Sequence, residues 1–265
     1  MGRVRERLSK TIVTDRTARA KAKPESAPEA ERPARASKPQ TYSSPAIRAR
    51  RQRILEETRR MIAEDGLVNF NMNELCKRAD VAKRTLYNAF QTREQLIAIA
   101  ISEYFQEYVD RIPYSGPAGT LQHNLERLIS VTRRNVRIRN YIRAIMSIFF
   151  SAEVGSNIWE TMQGMAAKPT LEWLNNLAAR RQLQPWVDTD SLANDLVRLE
   201  YAVVNDWSLG RIGDDELTPH LLLSVLTFMA GATRGAANTE IRDTIRQIQE
   251  KGVPPVRPVS KARAE

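Results

Sequence analysis

The stretch that most restricts what this chain can fold into is residues 71–96, NMNELCKRADVAKRTLYNAFQTREQL. Its apolar residues fall at helical spacing in two short runs. Leu75, Cys76 and Ala79 form the first, Leu86 and Phe90 the second, and Val81 sits between them. Asn71 with Glu74 three residues on reads as a capping box, as does Thr92 with Gln95. The pattern predicts a helix over about 72–79, a turn at Asp80-Val81, a helix over about 83–90 and the start of another after Thr92. Two short helices meeting at a tight turn form a helix-turn-helix, whose second helix enters the DNA major groove with its early residues at the base edges. Here that helix would present Lys83, Arg84, Thr85, Tyr87 and Asn88. Lys and Arg donate to guanine N7 and O6, and Asn pairs with adenine. Thr and Tyr hydroxyls suit phosphate oxygens, which fix register. An ordinary solvated helix face has the same periodicity, so spacing alone leaves both readings open.

The charge distribution points to a polyanionic partner. The net charge is +10, and the first 44 residues hold 11 Lys/Arg against 5 Asp/Glu. Residues 45–100 hold 11 against 7, and the remaining residues balance at 19 against 19. Positive charge gathered at one end is the footprint of a nucleic-acid partner. A membrane surface is the competing polyanion, but no basic amphipathic helix with exposed Trp or Phe occurs there. No apolar run is long enough to span a bilayer. The N-terminus is charged rather than apolar, unlike a secretory signal, and a cytoplasmic location is expected. Cys76 is the single cysteine, expected as a small buried hydrophobe. His123 and His220, expected at the surface, have no metal-ligand or nucleophile motif around them. Neither an enzyme activity, a metal nor a cofactor is therefore expected.

The whole chain reads as helix, an all-α fold with no alternating strand pattern. Residues 1–44 are rich in Ala, Arg, Lys, Pro, Ser and Glu, a composition that cannot offset the entropy of ordering. A solvated tail and a phosphate-tracking arm remain equal readings for 1–37, and the arm is favoured for 38–53. A first helix is predicted over 45–65, capped by Ser44 with Pro45 at its first position and stopped at Gly66. Its apolar stripe, with Ile47, Ile54, Leu55, Met61 and Ile62, contains Arg51. The head is expected to span 45–92, and a helical regulatory and dimerisation domain 93–251, followed by a disordered tail over 252–265. Body helices are predicted near 92–113, 121–136, 140–152, 157–182, 189–209, 218–236 and 238–250. Pro169 should break or kink the fourth of these. Thr218-Pro219 should open the sixth as cap and first residue.

The stretch DVAKRTLYNAFQTREQL resembles the N-terminal DNA-binding signature of the TetR family of transcriptional regulators. The likeness rests on Thr85-Leu86-Tyr87, Phe90, Arg93-Glu94 before Leu96, and Ala79 and Val81 around the turn. Upstream, Arg53-Ile54-Leu55 and Gly66 stand at the family's spacing, so the resemblance covers about 48–101. It implies groove contacts by Lys83, Arg84 and Thr85, phosphate anchors at Tyr87 and Arg93, a cap at Asn71 against a phosphate, and Asn73 near the groove edge. Arg48 and Asn88 complete the expected DNA-binding set. Three positions depart from the pattern: Asp80 replaces the usual turn Gly, Ala82 the usual Ser cap, and Ala89 an aromatic or His phosphate contact. The resemblance also implies a homodimer on an inverted-repeat operator in double-stranded DNA, acting as a repressor released by a small molecule. A ligand-independent DNA-binding protein acting through a protein partner, or as a nucleoid-associated factor, is the alternative.

Dimer elements are expected on the last two long helices, through Leu199, Val203, Leu222, Val225, Leu226 and Met229. Core packing within one monomer is the competing reading. A ligand cavity would draw its walls from Phe105, Tyr108, Tyr141, Met146, Phe149, Trp159, Met162, Met165, Trp173 and Tyr201. Aromatic and Met side chains suit an apolar ligand. Few ionisable residues stand among them, so a mostly apolar ligand is expected.

Overall fold

The computed structural model describes residues 44–151 and 156–259, so expectations for residues 1–43 and 260–265 lie outside the described residues. The described chain is all-α, with ten helices. Three make the head: α1 (Pro45–Asp65), α2 (Met72–Arg78) and α3 (Lys83–Phe90). Seven follow: α4 (Arg93–Val109), α5 (Leu121–Arg137), α6 (Arg139–Phe149), α7 (Ser156–Ala179), α8 (Thr189–Ser208), α9 (Leu217–Ala232) and α10 (Gly235–Lys251). The only β-type bridge among the described residues is an isolated antiparallel one between Leu183 and Thr233.

Local chemistry explains most of the boundaries. The Ser44 hydroxyl accepts from Ile47 N with Pro45 at the first position, and Gly66 ends α1 at φ 70, ψ 177. That backbone region is essentially restricted to glycine. Asn71 caps α2 by accepting from Asn73 N and Glu74 N, Thr92 caps α4 through Gln95 N, and Asp188 caps α8 through Ser191 N. Each such cap satisfies an amide that would otherwise be orphaned, worth about 1 kcal/mol.

Two boundaries differ from expectation. Pro169 lies inside α7 and does not break it. A proline there costs about 3 kcal/mol by removing a hydrogen bond and crowding the preceding turn. Helix α7 packs against both α4 and α8, and tertiary packing of this kind commonly overrides local helix preference. Thr218 does not cap α9: the helix begins at Leu217 after Glu216, and the Thr218 hydroxyl meets Thr132 Oγ1 of α5 at 2.9 Å. A third result concerns the expected tail, whose Val253 and Val256 pack half-buried against the core.

The head and body share one apolar interior. Ile54, Leu55, Met61 and Ile62 of α1 are buried with Leu75, Leu86 and Phe90 of the head and Leu96, Ile97 and Ile101 of α4. Helix α1 also packs against α6, whose Tyr141, Ile142, Ile145 and Met146 are buried. Helices α7, α8 and α9 pack in succession, and α10 packs on α9.

Candidate nucleic-acid interface and internal cavity

The recognition helix is set by a buried ridge and an open face. Leu86 and Phe90 of α3 are fully buried, and Val81 half-buried plugs the corner. Lys83, Arg84, Tyr87 and Asn88 are consequently exposed, while Thr85 is half-buried. The Lys83 ammonium lies 6.0 Å from the Tyr87 ring centroid, and no ion pair holds Lys83 or Arg84 among the described residues. Arg48 is exposed on the first turn of α1, and Asn73 is exposed on α2. The Asn71 side-chain oxygen is committed to capping α2.

The three departures take visible form in the head. Asp80 occupies φ 49, the left-handed region that Asp tolerates better than most residues. Ala82 precedes α3 with no side-chain cap, leaving the first amides of the helix unmet by a side chain. Ala89 is exposed beside Phe90 and has no polar group to offer a phosphate.

Arg93 is placed differently from the expected phosphate anchor. Its Nη2 donates to Leu67 O at 2.7 Å, and its guanidinium lies 5.7 Å from the Phe70 ring centroid. The residue braces the α1–α2 loop, because α4 begins under that loop. Two arginines that sequence spacing did not assign do similar work. Arg53 Nε donates to Ala79 O at 2.8 Å and pins the end of α2 to α1. Arg78 joins Glu64 at 2.6 Å and Glu74 at 3.4 Å. Arg51 forms a two-point pair with Glu103 of α4, Nη1 to Oε2 at 2.6 Å and Nη2 to Oε1 at 2.5 Å. The signal for it was present: a charged residue in an otherwise apolar stripe needs a partner where the stripe packs.

The body encloses a cavity of about 830 Å³ between α4, α5, α6, α7 and α8. Phe105, Met146, Met165 and Tyr201 line it as expected of them. The other six candidates do not. Tyr141, Phe149, Met162 and Trp173 are buried in the core, and Trp159 stacks on Phe149 at 5.7 Å. Tyr108 points to the other side of α4 and donates to Ser130 O at 2.9 Å.

The cavity wall is also more ionic than the sequence suggested. Arg127 and Glu200, 6% and 7% exposed, pair with each other on it at 3.4 Å. Arg127 Nη2 also reaches Thr170 Oγ1 at 3.4 Å, while its Nε is buried with no partner. Burial pushes the Glu200 carboxyl up from the usual range, against the pull of Arg127. His123, expected at the surface, stacks on Tyr114 at 3.7 Å, and both line the cavity. The Tyr114 hydroxyl is buried without a partner, and burial pushes its phenol up to about 12.

The expected dimer stripe lies mostly inward. Val203, Leu222, Val225, Leu226 and Met229 are buried in the chain's own core. Leu199 alone of that set is half-buried, and it lines a shallow outer groove with Trp186, Leu223 and Phe228. Trp186 is 75% exposed and Phe228 44%.

Comparison with known proteins agrees with this architecture. Residues 54–99 match the family described as "Bacterial regulatory proteins, tetR family". The head is that of the TetR family. It is 27% identical over 185 residues to the HTH-type transcriptional repressor KstR of Rhodococcus jostii (strain RHA1), covering 61% of this chain and 84% of that protein. Among solved structures, TylP from Streptomyces fradiae superposes with a TM-score of 0.55 at 18% identity, covering 80% of this chain and all of the other. Thermus thermophilus FadR, a TetR-family repressor in complex with lauroyl-CoA, superposes with a TM-score of 0.55 at 16% identity, covering 70% and 97%. At such identity these two likenesses establish the fold alone. With that head the chain is a DNA-binding transcriptional regulator, and none of its helices among the described residues is long and apolar enough to cross a membrane.

Proposed function

We propose that this TetR-family protein is a homodimeric repressor that binds an inverted-repeat operator in the cytoplasm and is released by a small molecule. The observation that carries this reading is the outer face of α3. Lys83, Arg84, Tyr87 and Asn88 stand exposed on a helix whose opposite face is locked by Leu86 and Phe90. In it Lys83 and Arg84 read base edges, Asn88 reads adenine, and Thr85 and Tyr87 hold phosphates. Arg48 adds a phosphate contact from the start of α1, Asn73 sits at the groove edge, and Asn71 turns the capped end of α2 toward the backbone. Arg93 acts by fixing the loop over α1 rather than by touching phosphate.

The dimer forms through the groove of Trp186, Leu199, Leu223 and Phe228, an apolar surface of the kind that marks protein contacts. Pairing α8 and α9 with a second copy sets the two heads on half-sites about one helical turn apart. The releasing ligand is a mostly apolar molecule carrying a hydrogen-bonding oxygen. Phe105, Met146, Met165 and Tyr201 suit its body, and Arg127, Tyr114 and Asn135 hold polar atoms without partners at its walls. A free carboxylate fits less well, because Glu200 already lies beside Arg127. KstR of R. jostii is a repressor, and T. thermophilus FadR carries an acyl ligand, which supports a ligand-controlled repressor here.

The test is selection of bound fragments from the source genome with the purified full-length protein. An inverted repeat is expected, with site preference lost in Lys83→Ala/Arg84→Ala and dimerisation lost in Phe228→Glu. Recovery of fragments no better than random DNA would overturn the reading, and an operator complex that no cellular small-molecule extract releases would remove its ligand control.

A further inference from the structure

The faces of α4 and α5 turned away from the large cavity bound a second concavity of about 370 Å³, closed by the segment that follows α10. Arginine dominates its walls. Arg133, Arg134 and Arg137 stand at i, i+1 and i+4 on α5, Arg111 follows the end of α4, and Arg257 comes from the closing segment. No carboxylate is among the lining residues. The concavity and the large cavity share no lining residue, so α4 and α5 separate two sites.

The arrangement is built rather than incidental. Val253 and Val256 pack against the core and seat residues 257–259 on the rim. Arg134 is held from below: it donates to the Tyr104 hydroxyl and lies over the rings of Tyr104 and Tyr108 at 5.4 and 5.7 Å. Its Nε is buried without a partner. Ser130, 2% exposed, lines the concavity and its hydroxyl also lacks a partner. Arg134, Arg137 and Arg111 converge on Tyr108 closely enough to pull its phenol down, although burial pushes it up overall. The guanidinium groups of Arg111, Arg133, Arg137 and Arg257 make no hydrogen bond or ion pair among the described residues. Like charges crowded at a surface repel one another, and an unpaired buried polar atom carries a further cost. An anion seated among them removes both penalties.

We propose that this concavity is an anion site for a ligand bearing a phosphate or diphosphate group. Guanidinium forks match phosphate oxygens two at a time, which favours this chemistry over halide or a single carboxylate. Five positive charges call for a group carrying more than one negative charge. The volume lies at the small end for ligand sites, enough for a diphosphate but not for a long apolar body. No lining residue belongs to the head, so the site is separate from the DNA-reading face.

Calorimetric titration of the full-length protein with inorganic pyrophosphate tests this. The expected result is saturable binding near one site per chain that survives in Lys83→Ala/Arg84→Ala. It should weaken roughly tenfold or more in Arg133→Gln/Arg137→Gln, given the strength of charge-assisted bonds. Arg257→Gln, on the rim and away from any helix, should weaken it in the same direction without altering the melting temperature, which covers the case in which the double variant fails to fold. Absence of saturable binding would overturn the proposal, as would binding unchanged in both arginine variants or lost in Lys83→Ala/Arg84→Ala. Loss of duplex DNA binding in Arg133→Gln/Arg137→Gln with no pyrophosphate binding by the parent would make the patch a DNA contact instead and also overturn it.

Discussion

The Arg51–Glu103 pair ties the head to the body, and its strength can be worked from its geometry. Both hydrogen bonds are short, 2.5 and 2.6 Å, and the two side chains are 41% and 35% exposed. An ion pair that open to water is worth at most about 1 kcal/mol, the two-point geometry placing it near the top of that range. The Arg51 guanidinium also lies 5.6 Å from the Phe90 ring centroid, adding roughly 0.5–1 kcal/mol. Arg51→Met keeps the stem and loses both contacts, so it should cost about 1–2 kcal/mol. Glu103→Gln should cost about 0.5–1 kcal/mol. A double-mutant cycle by urea unfolding, at fixed protein concentration, should then give a coupling of about 1 kcal/mol in 0.1 M salt. It should shrink in 1 M salt, where the Debye length falls to about 3 Å. Single effects that simply add, within about 0.3 kcal/mol, would show that the pair does not join α1 to α4 in solution.

Three further outcomes follow from the head and the cavity. Ala82→Ser supplies the missing cap of α3 and should raise stability by about 1 kcal/mol in the same unfolding assay. Arg127→Met should cost about 3–5 kcal/mol by stranding Glu200, whereas Arg127→Met/Glu200→Met should match or exceed the parent's melting temperature. The Tyr114 phenol titrates near 12 in the folded chain against about 10 when unfolded, so its contribution is present below pH 10 and is lost as pH rises from 10 to about 12. Tyr114→Phe should flatten that alkaline decline and, by removing an unpartnered buried hydroxyl, stabilise at neutral pH by about 1 kcal/mol in thermal melts.

The head was legible in the sequence because local chemistry decides it. Ser44, Asn71 and Thr92 each accept amides within their own first turn, and Leu86 with Phe90 leaves one side of α3 to water whatever packs beneath. The body was less legible because its choices are not local. Helix α9, LTPHLLLSVLTFMAGA, is apolar on nearly every side, so periodicity cannot say which face turns inward. The contacts with α8 and α10 bury Leu222, Leu226 and Met229 and leave Leu223 and Phe228 outside. Large aromatics were likewise equal candidates for cavity wall and core, and Phe149 is taken by Trp159 and Tyr201. Arg127 was hidden for the opposite reason. On α5 it stands next to Leu128, and only the fold brings it to Glu200, 73 residues away.

Helix α4 is the element through which the cavity would have to act on DNA. Its first residue follows α3 after two residues, and Thr92 N bonds Phe90 O at 2.7 Å across Gln91, held at φ 60. That tight connection leaves little slack between the recognition helix and α4. Further along, α4 contributes Glu103 and Phe105 to the cavity wall and Tyr108 to the arginine-lined concavity. The same Glu103 holds Arg51 of α1, so α4 is fixed to the head at two points, its start and its middle. A 17-residue helix is about 25 Å long, and a tilt of about 5° at one end carries the other by roughly 2 Å. In the proposed dimer, two heads would sit about 34 Å apart, the repeat of the major groove on one face. A displacement of roughly 2 Å on each side would therefore move α3 off register with base edges that require hydrogen-bond distances of about 3 Å. In the proposed ligand control, an occupant of the cavity would need only to wedge α4 from α7 to have that effect, because those two helices pack against each other and both line the cavity.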